Sequence, residues 1–208
     1  NLYPSFLREI PDCPVYIFTK GDISIFQNDS YAIVGSRKSS LSGIKIARSL
    51  AYKIAKENIN VVSGLAYGVD TASHIGALDY KYGKTIAVLG NGLLESDVYP
   101  KENLRLFREI IARGGLVVSE YIIGTKPEKY HFPARNRIIS GLSKKVIVIE
   151  AGIKSGSLIT VDFALEQGRD VYAVPGNILD TNSKGVNNLI KEGAKLLDCY
   201  EDLIDWNS

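Results

Sequence analysis

The sequence predicts a doubly wound α/β fold, in which helices cover both faces of a mostly parallel sheet. Short apolar runs, mostly of β-branched residues, recur along the chain without alternating with polar residues, which is typical of strands buried on both faces. Stretches in which apolar residues are spaced three and four apart separate these runs. This alternation of strand and helix, over 208 residues, predicts one parallel sheet with a substantial core.

Six apolar runs are predicted to form the central strands, at residues 31–34, 61–62, 85–89, 116–118, 146–149 and 171–174. Helical spacing predicts amphipathic helices over residues 44–54 and 104–111. Two further helices are expected, one after Asp70 and one over residues 158–165.

The two ends of the chain differ in character from the middle. Prolines interrupt the first residues, where we expect a strand at 15–18 that ends at Lys20-Gly21 and pairs with the sheet edge. Residues 195–197 are predicted to be a last strand, followed by a short helix from Tyr200 to Trp206. We therefore divide the chain into an extension packed on the core (1–30), the core (31–198) and a short tail (199–208).

Composition excludes several classes of protein. Hydrophobic residues make up 45% of the chain and charged residues 23%, which excludes a disordered or fibrous protein. No run approaches the roughly 18 apolar residues of a membrane span, and there is no secretory signal, so we expect a cytoplasmic protein without a membrane partner. Neither Cys13 and Cys199 nor the two histidines have the spacing of a metal site, and we expect no metal.

A basic segment stands out although the net charge is only +2. Between positions 126 and 145 the chain has a single acid and six cations: Lys126, Lys129, Arg135, Arg137, Lys144 and Lys145. Phe132 lies among them, and cations with an aromatic ring are typical of proteins that bind single-stranded nucleic acid. Two other interpretations stay open. Phe132 can be a core residue, and Arg135 or Arg137 can form a structural ion pair with Glu120 or Glu150.

Small residues follow nearly every predicted strand, and the carboxyl ends of parallel strands share one edge of a sheet. Ligands of open parallel sheets bind beyond this edge, where glycine turns let phosphates approach backbone N–H groups. Arg37 follows the turn Gly35-Ser36, and its guanidinium can grip a phosphate with two hydrogen bonds. The run Lys154-Ser155-Gly156-Ser157 precedes a predicted helix and offers N–H donors and one ammonium group. This edge is therefore predicted to bind phosphates.

The common nucleotide motifs are missing, so we expect no cofactor. The turn after residues 31–34 lacks the pattern G-x-G-x-x-G, and no carboxylate for a ribose follows the next strand. The chain also lacks the P-loop pattern and the G-x-S-x-G elbow of serine hydrolases. A dinucleotide enzyme, an ATPase and a serine hydrolase are therefore not expected.

Seven further motifs follow one another along the chain. They are AIVGSR at 32–37, VSGLAYGVD at 62–70, TIAVLG at 85–90, FPARNRIISGLS at 132–143, EAGIKSGSLIT at 150–160, EQGR at 166–169 and GVNNLI at 185–190. In this order they resemble the DNA-processing protein A family (DprA, also called Smf), from about Tyr3 to Leu197. The block at 132–143 is the most specific.

The resemblance implies an extended Rossmann-like core that binds single-stranded DNA with little sequence preference and is not an enzyme. In the family, such a protein protects incoming strands and helps to load the RecA recombinase during natural transformation. The implied DNA contacts are Gly35, Ser36, Arg37, Lys129, Phe132, Arg135, Asn136, Arg137, Lys154, Ser155, Gly156 and Ser157. A homodimer is also implied, and we expect its surface and that for RecA between Asn187 and Leu197.

Two other functions are weighed against this one. A nucleotide phosphoribohydrolase of the lysine-decarboxylase-like group shares the scaffold, but residues 150–159 lack its paired glycines and have Ile159 about where its catalytic acid falls. A nucleotide-sensing module would bind mononucleotides without preferring long strands. Longer family members carry a helical N-terminal domain and a C-terminal winged helix with no counterpart in this sequence, so we expect the activity of the core alone.

Overall fold

The computed structural model describes residues 3–203 and contains one eight-stranded sheet in this part of the chain. The strands are β1 (Phe18–Gly21), β2 (Ser30–Val34), β3 (Asn60–Ser63), β4 (Thr85–Leu89), β5 (Leu116–Ser119), β6 (Lys145–Val148), β7 (Asp170–Ala173) and β8 (Lys195–Leu196). Their order across the sheet is β1-β5-β4-β3-β2-β6-β7-β8. Neighbouring strands are parallel except for β1, which runs antiparallel to β5. The predicted mostly parallel sheet is confirmed.

Seven α-helices lie between residues 3 and 203: α1 (Ser5–Arg8), which precedes β1, and α2 (Leu41–Lys56), α3 (Val69–Asp79), α4 (Leu104–Ala112), α5 (His131–Gly141), α6 (Ser157–Glu166) and α7 (Lys184–Lys191), which lie between strands. Short 3-10 helices lie at Ile23–Gln27, Lys101–Asn103, Thr181–Ser183 and Tyr200–Leu203. Within residues 3–203, none of the helices is both long and apolar enough to span a bilayer.

Helices cover both faces of the sheet, as predicted. On one face, α1, α5, α6 and α7 contribute to a cluster around the strands, with Leu7, Ile138, Val161 and Val186 among its buried side chains. On the other face, α2 packs through Ile54 and α4 through Phe107, both fully buried. Full burial of one such side chain stabilises the fold by about 1.5–3 kcal/mol.

The chain builds the sheet outward in two directions from β2. Strands β3, β4 and β5 lie on one side of it, and β6, β7 and β8 lie on the other. β2 and β6 are parallel neighbours, with Val34 opposite Val148. Their carboxyl ends therefore meet at the topological switch point, which is where open α/β sheets bind ligands.

The first strand lies slightly later in the chain than predicted. Val15 is 94% exposed, and the pairing with β5 begins only at Phe18, opposite Ser119. The pairing ends at Gly21, where φ is +121° and a Cβ would lie 2.2 Å from the Gly115 oxygen, so glycine is required. At the other end β8 forms as predicted. The helix predicted from Tyr200 to Trp206 begins as the 3-10 helix Tyr200–Leu203, and its remainder lies outside the described residues.

Candidate nucleic-acid interface

A cleft of about 950 Å³ opens beyond the carboxyl ends of β2 and β6. Eleven of the twelve residues predicted to contact DNA line it, although they come from three separate segments of the chain. They are Gly35, Ser36, Arg37, Lys129, Phe132, Arg135, Asn136, Lys154, Ser155, Gly156 and Ser157. The twelfth, Arg137, is not part of the lining.

The turn after β2 is held rigidly by its neighbours. The Ser36 N–H donates to the Glu150 carbonyl (2.7 Å), and the Ser36 carbonyl accepts from the Val69 N–H (3.3 Å). Gly68 approaches this turn closely, since its φ is +73° and a Cβ would lie 2.3 Å from the Ser36 oxygen. The fixed backbone presents the exposed side chain of Arg37 at the mouth of the cleft.

Side chains of the protein itself accept the hydrogen bonds at the start of α2. The Glu150 carboxylate accepts hydrogen bonds from the Ser39 hydroxyl (2.7 Å) and the Ser40 N–H (2.9 Å). The Ser40 hydroxyl accepts from the Gly43 N–H (3.0 Å) as the N-cap. A Rossmann-type site uses the helix after the first central strand to hold a pyrophosphate. Here an internal carboxylate occupies that position, which explains physically why the dinucleotide pattern is missing.

Phe132 forms an aromatic wall of the cleft. Its ring is half-buried, with the Arg37 guanidinium carbon 5.6 Å from its centroid and the Tyr99 ring centroid also 5.6 Å away. A Cβ on Gly90 would lie 3.1 Å from the ring, so the absence of a side chain there makes room for it. Phe132 is thus neither a buried core residue nor a fully exposed one. Its ring can receive a base from the cleft.

The run Lys154-Ser155-Gly156-Ser157 leads into α6, as predicted. The Ser155 and Ser157 hydroxyls are hydrogen-bonded to each other (2.8 Å), and the Asn136 amide donates to the Gly156 carbonyl (3.2 Å). The Ser157 N–H (3.4 Å) and the Leu158 N–H (3.1 Å) donate to Ser155, and the start of α6 lines the cleft beside the exposed ammonium group of Lys154. Such a helix start favours an anion.

Arg135 is buried, with 3% of its surface exposed, and its guanidinium bonds to the backbone. Nη1 donates to the carbonyls of Gly64 (2.8 Å) and Val88, which tie together the ends of β3 and β4. Burial lowers the pKa of Arg135 to about 10, so the side chain stays charged at neutral pH. It lines the cleft, and its main interactions are structural.

Asp70 accompanies Arg135 and is the one acid among the described residues that line the cleft. Its carboxylate accepts from the N–H groups of Gly64 (3.1 Å) and Ala66 (3.3 Å). Burial raises the pKa of Asp70, while the nearby Arg135 charge opposes the rise. The Asp70 carboxylate is therefore occupied by the loop after β3 and does not neutralise the exposed cations at the mouth.

Arg137 has a structural position, so the DNA contact predicted for it is not supported. It is 6% exposed, and it forms ion pairs with Glu120 (2.6 Å) and Asp12 (2.9 Å). These bonds fasten the N-terminal extension to α5. The alternative interpretation from the sequence, an ion pair with Glu120, holds for Arg137, whereas Glu150 binds the start of α2 instead.

Sequence reasoning missed several residues of the cleft, among them Lys38, Tyr99 and Asn182. Tyr99, beside Phe132, had only the motif Tyr99-Pro100 as a signal. Asn182 donates to the Lys38 carbonyl (2.8 Å) across 144 residues of chain, and no local pattern points to it. The described residues also contain an exposed group of Asp198, Cys199 and Asp202, but these are not part of the cleft lining.

These features define a Rossmann-like α/β protein. A basic cleft with an aromatic wall lies at the topological switch point of its sheet, and the start of α2 is capped by a carboxylate of the protein itself. The chain belongs to the family of DNA recombination-mediator protein A, whose model matches residues 1–207. It is 50% identical over 205 residues to the DNA processing protein DprA of Streptococcus pneumoniae, covering 98% of this chain and 71% of the relative.

Two solved structures agree with this assignment. The X-ray structure of the Streptococcus pneumoniae DprA is similar with a TM-score of 0.90 at 49% identity, covering 98% of this chain and 70% of that one. A DNA processing protein A from Helicobacter pylori, solved to study its single-stranded DNA binding mode, is similar with a TM-score of 0.87. The identity to it is 30%, over 97% of this chain and 90% of that one.

Proposed function

We propose that this chain binds single-stranded DNA without sequence preference, protects it, and passes it to the RecA recombinase during natural transformation. The observation that carries the proposal is the cleft, which gathers a half-buried ring and four exposed cations, Arg37, Lys38, Lys129 and Lys154, at one edge of the sheet. The Helicobacter pylori relative, whose structure concerns single-stranded DNA binding, supports the same ligand.

The ring accounts for a preference for unpaired strands. Phe132 is half-buried between Arg37 and Tyr99, so a base must leave its stack to reach the ring. Stacking of one base contributes about 1–3 kcal/mol and is tolerant of sequence because every base has a π-face. In a duplex, pairing and stacking keep the bases away from such a wall.

The exposed cations of the cleft account for binding of the DNA phosphates. Arg37, Lys38, Lys129 and Lys154 are exposed and line the same cleft, and the start of α6 adds the partial positive charge of a helix N-terminus. Phosphate contacts of this kind carry no base information, and they release counterions when they form. Binding should therefore weaken steeply as salt is added.

The C-terminal part of the described chain is the surface we propose for a homodimer and for RecA. β8 lies at the edge of the sheet, and Leu196 on it is 45% exposed. An unpaired strand edge with an exposed apolar side chain is a ready surface for association. Leu196→Asp should convert a dimer to a monomer in light scattering, and an unchanged mass would contradict this part of the proposal.

The decisive experiment measures fluorescence anisotropy of single-stranded and duplex oligonucleotides at two salt concentrations. We expect the parent chain to prefer the single strand and Arg37→Ala to weaken binding of all sequences alike. The slope of log K against log salt should fall by about 0.7 for the one lost phosphate contact. Arg105→Ala, which removes an exposed arginine outside the cleft, is the matched control. Equal binding of the single strand by Arg37→Ala and the parent would refute the assigned site.

The absence of catalysis is part of the same proposal. Ile159 lines the cleft near the position where a phosphoribohydrolase needs an acid, and Asp70 is occupied by backbone N–H groups. Incubation with AMP should therefore release no adenine. Appreciable release would favour the enzyme, and micromolar mononucleotide binding without preference for long strands would favour a nucleotide sensor.

A further inference from the structure

We propose that Tyr130 is a second base-stacking platform, on which the strand lies as it leaves the cleft beside Lys129. This inference rests on the proposed function and extends the DNA path beyond the cleft. Tyr130 is 70% exposed, which is unusual for a large aromatic residue that directly precedes a helix of the core. An exposed ring beside a basic cleft is the element that single-strand binding proteins use to hold successive bases.

The Tyr130 ring is supported from below. It packs edge-on against the His131 ring, with centroids 4.5 Å apart and planes at 74°. His131 is buried, is hydrogen-bonded to the Gly90 carbonyl (3.1 Å) and lies 3.9 Å from the Tyr121 ring. The His131 ring, itself fixed by these contacts, restricts the Tyr130 ring on one edge, and a restricted ring loses less entropy on binding.

Tyr130 is next to the cleft along the chain. Lys129 and Phe132 on either side of it in the chain line the cleft, whereas Tyr130 does not. The Lys126 side chain, on the same segment, is 71% exposed and reaches Asp97 at 3.5 Å. Asp97 pairs with Lys126, so the exposed Lys129 is the cation of this segment that attracts a phosphate backbone.

A second exposed tyrosine provides a matched comparison. Tyr82 is 65% exposed, and the Lys81 ammonium lies 5.2 Å from its ring centroid. It has the same chemistry, a ring beside a lysine. However, it lies between α3 and the start of β4, at the amino ends of the strands and away from the cleft. If any exposed tyrosine next to a lysine bound DNA, the two would behave alike.

The test compares the affinity for oligothymidylates of about 4 to 16 nucleotides, a range of single-strand site sizes. We expect Tyr130→Ala to bind the shortest strand like the parent, because that strand fits within the cleft. The longest strand should bind about 5-fold more weakly or worse, the loss expected for one stacked base. Tyr130→Phe keeps the ring and should restore binding. Tyr82→Ala should match the parent at every length.

Fluorescence gives a second measurement. In the double variant Trp206→Phe/Tyr130→Trp the single tryptophan reports on the platform, and long strands should quench it while the shortest should not. The inference is overturned if Tyr130→Ala binds every length like the parent or weakens all lengths equally. It is also overturned if Tyr130→Phe fails to restore binding or the tryptophan is not quenched. In those cases Phe132→Ala would still weaken binding at all lengths, whereas a failure of the proposed function would leave no single-strand binding to compare.

Discussion

Two helices begin side by side at the switch point of the sheet, and their first turns differ. α2 follows β2, and its first turn is closed by the Ser40 hydroxyl and the Glu150 carboxylate. α6 follows β6 and begins after Gly156, which has no side chain to cap it, with Lys154 exposed beside it. One helix start is satisfied within the protein, and the other faces the cleft.

The difference shows how one scaffold can change its ligand. Every helix start carries unpaired N–H groups and a partial positive charge, so something acidic or polar tends to occupy it. At α2 the protein supplies its own carboxylate, which leaves no room for a dinucleotide pyrophosphate there. The phosphate-binding role is then left to the turn before α6 and to the Arg37 side chain.

The largest expected effect comes from removing the carboxylate that caps the start of α2. Glu150→Ala removes the acceptor of the Ser39 hydroxyl and the Ser40 N–H, so we expect the free energy of unfolding to fall by about 2 kcal/mol. Urea denaturation measures this loss. Glu150→Gln keeps one acceptor oxygen and should lose less. Affinity for single-stranded DNA should stay near that of the parent, because Glu150 does not line the cleft. A large loss of DNA binding in a folded Glu150→Gln would contradict the division of roles.

The next effect concerns the open helix. Lys154→Ala should weaken binding of single-stranded DNA about 5- to 10-fold, a loss of about 1–1.4 kcal/mol, and reduce the salt slope. Because Lys154 is exposed, stability should stay within about 0.5 kcal/mol of the parent. Lys45→Ala, an exposed lysine on α2 outside the cleft lining, is the control in anisotropy measurements. If Lys154→Ala and Lys45→Ala bound single-stranded DNA with equal affinity, Lys154 would not be part of the site.

The fold and the outline of the site were predictable from local patterns. Buried parallel strands appear as continuous apolar runs, and all six central strands formed close to the predicted positions. Glycine and serine at the strand ends marked the cleft, since a parallel sheet brings those ends together. Only the edge strand β1 was misplaced, because its start depends on where β5 offers partners.

Helix α5 shows what the sequence could not reveal. It was not predicted, because its buried face includes His131, Arg135, Arg137 and Ser140, which resemble an exposed basic loop. Arg135 is buried because its partners are carbonyls 71 and 47 residues away. The bonds between Ser40 and Glu150 likewise join positions 110 residues apart. Hydrogen bonds between residues so far apart in the chain decide which cations are exposed, and they cannot be predicted from local sequence patterns.

The smallest effect tests how the open helix start is held in place. Asn136 was predicted to contact DNA, but its amide donates to the Gly156 carbonyl (3.2 Å), which ties α5 to the turn before α6. Asn136→Ala should therefore weaken DNA binding about 3-fold, a loss of about 0.6 kcal/mol, at the low end of the range of about 0.5–1.5 kcal/mol for one hydrogen bond. If Asn136 acts by positioning that turn, its effect should shrink when Lys154 is already removed. In a double-mutant cycle with Lys154→Ala the two losses should then fall short of additivity by about 0.5 kcal/mol. Fully additive losses would instead make Asn136 an independent DNA contact, and the turn before α6 would not depend on it.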